Sequence, residues 1–278
     1  MIAHATFELF KRHNIDYRLF NWRKFDSRQK TIVYGGGGSL IPLYGLAQAI
    51  IKKLHPDAQR LIILPHTITA NEEFLRELGT NVDVICRDEI SYDHVEKYAD
   101  KARVMIGDDL AFHLDANTVL KTRRPGTLKT LLLRSLFDLL KSKRRDKFPP
   151  VRKMIEAKKL EIGNCLRRLS NPETYTGQLH AFREDDERTP YLFSPRNIDV
   201  SEIFGFGTRN ETIALYATGE FLDFINQFRE VITNRLHVCI GAALLGKNVQ
   251  FFPNNYYKCE AVYNYSMKNR FHNVEWMG

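Results

Sequence analysis

The chain has 278 residues, is 44% hydrophobic and 27% charged, and carries a formal net charge of +8. That length suits one large globular domain or two smaller ones, and the charge favours an anionic partner: nucleic acid, anionic lipid or a phosphorylated small molecule. No stretch approaches the ~18 uninterrupted apolar residues of a membrane helix, and the opening MIAHATFELFKRHN lacks the apolar core of a secretory signal, so a cytoplasmic protein is expected.

Residues 2–13 read as a helix and 16–21 as a strand. TIVYGGGGSL gives a strand over 31–34, a glycine turn over 35–38 and a helix through about residue 54. Apolar strands follow at 60–65, 82–86 and 102–107, separated by helices near 71–79 and 90–99. Short apolar strands alternating with helices indicate a parallel sheet covered on both faces. From about 126 to 170 the pattern turns helical and basic. Within it KSKRRDKFPPVRKMIEAKK (141–159) holds nine Lys or Arg and two Asp or Glu, a net of +7. Such runs are commonly solvated connectors. Here the run is expected to give peripheral, reversible contact with the inner face of the cell membrane. Nothing resembling a nucleic-acid motif accompanies it, so no nucleic-acid partner is expected. A strand restarts at 177–185, a helix at 211–229, strands at 230–233 and 248–253, and helices at 235–245 and 255–267. The expected division is 1–125 and 173–278 as two Rossmann-like domains joined by a helical connector, 126–172.

Chemistry-bearing residues cluster where strands end. Ligands of open α/β sheets bind at the carboxyl ends of the strands. In VITNRLHVCIGAALLGKNV, Asn234 is a suitable N-cap for the helix that follows. The first-turn amides suit a phosphate or carboxylate, Arg235 adds a cation with a fork of donors, and His237 titrates near neutrality. Gly36, Gly37 and Ser39 lie in a glycine run that lacks the pattern of a P-loop or a dinucleotide fingerprint. Arg87, His66 and Asp108 stand at three further strand ends. In AFREDDERTP, alternation puts Arg183, Asp185 and Glu187 on one side of an extended chain. The four cysteines form no metal-binding pair and read as reduced core thiols, and no cofactor or metal cluster is visible.

Several stretches occur in the order of one known family: YGGGGSL, LPHT, CRDEIS, IGDDLAF, FREDDE, VITNRLHVCIGAALLGKNV and PNNYYKCEAVYNYSM. The chain resembles the polysaccharide pyruvyl transferase family over nearly its whole length, with TNRLH the most specific part. The resemblance implies a GT-B-like fold, two Rossmann-like domains facing a cleft. It implies transfer of a pyruvyl group from phosphoenolpyruvate, as co-substrate, to a sugar of a polysaccharide or its lipid-linked precursor, closing a cyclic ketal. The donor would be held by Arg235, Leu236 and His237, with Asn234 and a further arginine, matched here to Arg87. His237 would act as general acid, Asp185 or Glu187 would take a hydroxyl proton, and Gly36, Gly37, Ser39, His66 and Asp108 would line the acceptor side. Two departures stand out. The strand and Asn-x-Gly-Asp turn with which the family usually opens have no counterpart before MIAHATFELF, so the N-terminal domain is expected to lack its first strand. His66 stands where Gln is more usual. Two other readings remain: a GT-B glycosyltransferase using a nucleotide sugar, and a non-catalytic binding protein at a membrane or on nucleic acid. Donor specificity separates the first, and steep salt dependence without turnover would mark the second.

Overall fold

The computed structural model describes residues 1–122, 177–189, 197–205 and 210–278. The basic connector, including 141–159, and Cys165 lie outside the described residues. Two compact units emerge, and they are not contiguous in sequence. One comprises Ile2–Phe112 with Glu260–Arg270. The other comprises the described part of His113–Cys259 with Phe271–Gly278 and Met1. We refer to them as the N-terminal and C-terminal units. A division at single boundaries near 125 and 173 does not anticipate this exchange.

The N-terminal unit is a parallel five-stranded sheet with helices packed on it. Its elements are α1 (Ile2–Arg12), β1 (Thr31–Tyr34), β2 (Gly37–Leu40), α2 (Gly45–Leu54), β3 (Arg60–Ile68), α3 (Glu72–Glu77), β4 (Val82–Cys86), α4 (Glu89–Tyr98) and β5 (Arg103–Ile106). The strands run in the order β1-β3-β4-β5, and β2 also pairs with β3. β3 and β4 are buried along most of their length because both of their edges and both of their faces are covered, which is why they read as continuous aliphatic runs. Leu61, Ile63, Val82 and Val84 pack there with Ile51 of α2 and Val95 of α4. At ~25 cal/mol per Å² of apolar surface, each such side chain contributes roughly 1.5–3 kcal/mol on burial.

The glycine run departs from expectation. It is not a turn into a helix: Gly37–Leu40 forms a second short strand on the β3 edge that β1 occupies further upstream. The β3–β4 ladder is irregular between Ile63 and His66, at Leu64-Pro65, and on the other edge pairing with β1 ends at Ile63 and pairing with β2 begins at His66. Proline has no N–H to give the ladder, which accounts for the break. The backbone at 35–36 crosses it closely, and a Cβ on Gly36 would lie 2.9 Å from the Pro65 carbonyl oxygen. Gly37 has φ +151°, which side-chain-bearing residues rarely adopt. The strand expected at 16–21 is absent; that stretch is irregular, followed by a 3₁₀ turn at Trp22–Lys24.

The C-terminal unit holds α5 (Ala116–Thr122), β6 (Gln178–Ala181), α6 (Val200–Ile203), α7 (Glu211–Asn226), β7 (Glu230–Thr233), α8 (Leu236–Leu244), β8 (Asn248–Phe251) and β9 (Val274–Trp276). Its four strands are parallel in the order β6-β7-β8-β9. α8 is apolar all round and buried on nearly every side, between α7 and strands β7 and β8. The last helix, α9 (Lys258–Val262), runs on as a π-helical turn, Tyr263–Met267. It begins in the C-terminal unit and ends in the N-terminal one. The fold is thus mixed α/β with two parallel, Rossmann-like sheets. Among the described residues no helix is long and apolar enough to cross a membrane.

Candidate active site

The carboxyl ends of β6, β7 and β8 carry a dense polar cluster within the C-terminal unit. β7 ends at Thr233, whose hydroxyl donates to the Ala181 carbonyl of β6 (2.6 Å) and accepts from the Arg235 amide (2.9 Å). This tight exit places Arg235, not Asn234, at the cap position of α8, with an extended backbone and no side-chain capping bond. Asn234 therefore does not cap the helix as its sequence position suggested. Its Oδ1 accepts from the Arg183 amide (2.8 Å) and its Nδ2 donates to the Thr189 hydroxyl (2.9 Å). The amide instead pins the loop after β6 to the start of α8.

That loop is a turn rather than an extended strand, and the turn brings its charges together. Arg183 grips Asp185 through Nε (2.8 Å) and Nη2 (2.7 Å), and reaches Glu187 through Nη1 (3.1 Å). Arg235, 6% exposed, donates from Nη2 to Asp199 in a short contact and to Asp185 at 3.3 Å. Lys258 at the start of α9 makes a short pair with Glu187, which also accepts from Asn254 (3.3 Å). Three cations thus face three carboxylates in a largely buried site. Charge-assisted bonds at such density are needed to hold ionised groups out of water.

The electrostatics follow from this packing. Burial works to raise the Asp185 carboxyl, but Arg183 and then Arg235 outweigh it and hold it at about 2. Burial pulls the Lys258 ammonium below its usual range, with Cys259 and Glu187 offsetting part of that. Asp185 is thus a weak proton acceptor, and Glu187 is engaged by two cations and an amide. Both act as counter-ions here, an engagement that competes with the base role expected for them. One group stands apart: Arg235 Nε is buried and has no hydrogen-bond partner among the described residues. An orphaned guanidinium donor beside an uncapped helix N-terminus is an arrangement suited to an anion. Leu236 is buried in the first turn, and His237 beside it is half-buried.

The remaining expected residues belong to the N-terminal unit. Arg87 is 1% exposed, with Nη1 on Asp109 (2.5 Å) and Nε on the Thr67 hydroxyl (2.9 Å). Thr67 in turn donates to Asp88, which caps α4 by accepting from the Ser91 amide. Arg87 therefore serves as a buried tie between β3, β4 and the loop after β5, which gives its match to the donor a structural competitor. His66 is fully buried, with Nδ1 2.9 Å from the Leu64 carbonyl and Nε2 3.4 Å from the Ser39 hydroxyl. Burial drives it to about 4, so the ring is neutral near pH 7. Gly37 pairs with it across the β2–β3 ladder, so Gly36, Gly37, Ser39 and His66 form one patch. Asp108 points elsewhere in its interactions: it accepts from the Ser266 hydroxyl (2.8 Å) and from Arg270 (3.4 Å), fastening the π-helical turn.

Sequence reasoning missed Asp199 and Lys258 as site residues. Asp199 sits in RNIDV, with no motif around it. Lys258 lay within the NNYYK stretch but carried no assigned role.

Two parallel Rossmann-like sheets, with a charged strand-to-helix corner in one of them, define a mixed α/β protein. Comparison with known proteins narrows this. The model of the polysaccharide pyruvyl transferase family matches residues 1–256, and the chain belongs to that family. A crystal structure of a functionally uncharacterised protein from Klebsiella pneumoniae subsp. pneumoniae is similar, at 27% identity and a TM-score of 0.70, over 100% of this chain and 86% of that one. No curated protein matches the chain.

Proposed function

We propose that the protein transfers the pyruvyl group of phosphoenolpyruvate onto two hydroxyls of a sugar in a polysaccharide or its precursor, giving a cyclic ketal and inorganic phosphate. The observation that carries the reading is the buried, unpartnered Arg235 Nε at the uncapped start of α8. Phosphoenolpyruvate offers a carboxylate and a phosphate, and a guanidinium with helix amides is a receptor for both. His237, in the first turn, donates a proton to the enol methylene carbon. That makes the central carbon cation-like, and the first sugar hydroxyl attacks it and loses its proton. Phosphate leaves with the C–O electron pair, and the second hydroxyl closes the ring and gives up its own proton. Atoms balance as donor plus diol going to ketal plus phosphate. Asp185, Asp199 and Glu187 keep the cations in place. The reading includes a GT-B-like architecture, with the sugar taken up by the N-terminal unit, and a lipid-linked acceptor reached through peripheral membrane contact.

The test is phosphate release from phosphoenolpyruvate across galactose-, mannose- and glucose-containing acceptors. Release should require an acceptor and should vanish in folded Arg235→Ala, because a charge-assisted pair to a multiply charged ligand contributes ~1.5–3 kcal/mol or more. Arg235→Lys should restore only part of it, since the fork geometry is lost. Consumption of a UDP- or GDP-sugar in place of phosphoenolpyruvate would overturn the reading.

A further inference from the structure

The donor reading explains Arg235 but not how a long side chain is held with one edge unused. Arginine carries several rotatable bonds, and an unrestrained guanidinium samples many orientations before it meets a ligand. Here the head group is fixed from one end. Asp199 is 7% exposed and accepts from Nη2 in a short bond. Asp185 touches the same nitrogen at 3.3 Å and is itself gripped by both donors of Arg183. Asp199 is anchored on its own side: its Oδ2 accepts from the Glu184 amide (3.3 Å), and its carbonyl accepts from the Ile203 amide (3.2 Å) at the start of α6. The guanidinium is planar, so bonds at Nη2 set the direction of the remaining donors. Nε, buried and without a partner among the described residues, is left beside the N-terminus of the nine-residue helix α8.

We infer that Asp199 is a positioning residue of the donor site: it holds Arg235 through Nη2 so that Nε is presented to the donor's anionic group together with the first-turn amides of α8. Asp199 does not touch the donor. The inference rests on the reading of this corner as the phosphoenolpyruvate site. A rival role is competition, in which Asp199 occupies a nitrogen that the donor would otherwise take. The two roles have opposite signs. Removing a positioning residue weakens donor binding, and removing a competitor strengthens it.

The test uses the full chain with Asp199→Ala, Asp199→Asn and wild type, read in two ways. In steady-state kinetics with phosphoenolpyruvate, Asp199→Ala should raise KM at least about tenfold while kcat falls much less. Asp199→Asn, which keeps an acceptor oxygen for Nη2, should recover most of the loss. A merely structural role would not split KM from kcat or be rescued by the amide. The second reading follows the ¹H–¹⁵N signal of the Arg235 Nε–H, assigned by its loss in Arg235→Lys, during titration with phosphoenolpyruvate and with inorganic phosphate. In wild type the signal should be sharp and should shift with either anion. In Asp199→Ala it should broaden and respond only at higher anion concentration. Unchanged or lower KM in Asp199→Ala would overturn the inference, as would an unchanged Nε–H signal. If Asp199→Ala does not fold, Asp199→Leu, which fills the space but offers Nη2 no acceptor, carries the test, with KM raised and the Nε–H signal shifted already in the free protein. Wild-type behaviour of that variant in both measurements counts against positioning. The donor reading fails separately: wild type whose Nε–H signal ignores phosphoenolpyruvate and which releases no phosphate from it does not use that donor, whatever Asp199 does.

Discussion

At the residue scale, the polar corner of the C-terminal unit separates groups that hold charge from groups that could move a proton. His237 is half-buried in the first turn of α8, and under the proposed function it gives its proton to the donor there. His237→Gln should lower turnover by ~10²–10⁴ with a smaller effect on donor affinity, as for a lost general acid, measured by phosphate release against acceptor concentration. Glu187 and Lys258 call for a different experiment, because their worth is structural. Glu187→Gln leaves two cations, Lys258 and Arg183, short of a counter-charge, whereas Lys258→Met leaves a carboxylate that still has Arg183 and Asn254. Breaking a buried pair costs about 3–5 kcal/mol when the stranded charge stays buried. Glu187→Gln should therefore shift the denaturant midpoint further than Lys258→Met, and equal shifts would mean that Arg183 draws its balance from Asp185 alone.

At the element scale, some of the fold was legible in the sequence and some was not, for identifiable reasons. β4 and β7 match their expected bounds because each is a short aliphatic run with turn residues on both sides. The expected strand at 16–21 has suitable side chains, but the described structure gives it no ladder to join. β2 escaped notice because Gly37, Gly38 and Ser39 have weak strand preference; the ladder on β3, not side-chain propensity, makes it a strand. The corner at α8 was legible as NRLH, yet the role of Asn234 was not. Its amide bonds depend on Arg183 and Thr189, 51 and 45 residues away, and no local pattern encodes them. Asp199, 36 residues from Arg235, was hidden for the same reason. The close crossing of β1–β2 over Pro65 yields a direct prediction. Gly36→Ala places a Cβ 2.9 Å from a backbone oxygen that cannot rotate away, so it should destabilise by about 1–3 kcal/mol, read as a lowered denaturant midpoint. A tolerated alanine would mean that β1 and β2 shift together along β3.

At the scale of the whole molecule, the acid limb of stability should carry the mark of His66. Its folded value is about 4 against the usual 6.5, with burial the main cause. The unfolded chain therefore binds a proton that the folded chain refuses between those limits. Stability from this group is complete above pH ~6.5 and is lost as pH falls towards about 4, by up to about 3 kcal/mol. His66→Gln should flatten the stability profile over that window, as followed by urea unfolding at stepped pH. An unchanged slope would place the proton uptake elsewhere.

The path of the chain has a consequence for how the protein is made. After Ile2 the backbone passes between the two units three times, following Phe112, Cys259 and Arg270. The N-terminal unit is therefore unfinished when residue 112 has been synthesised: Asp108 still waits for the Ser266 hydroxyl, and the Phe112 carbonyl for Arg270. On the ribosome the first hundred residues must persist without their closing segment until residues 260–270 have emerged, and the stretch from 260 to 278 completes both units within a few residues of one another. The two units thus become whole in close succession, and the early sheet depends in the meantime on its aliphatic strands and the helices packed on them.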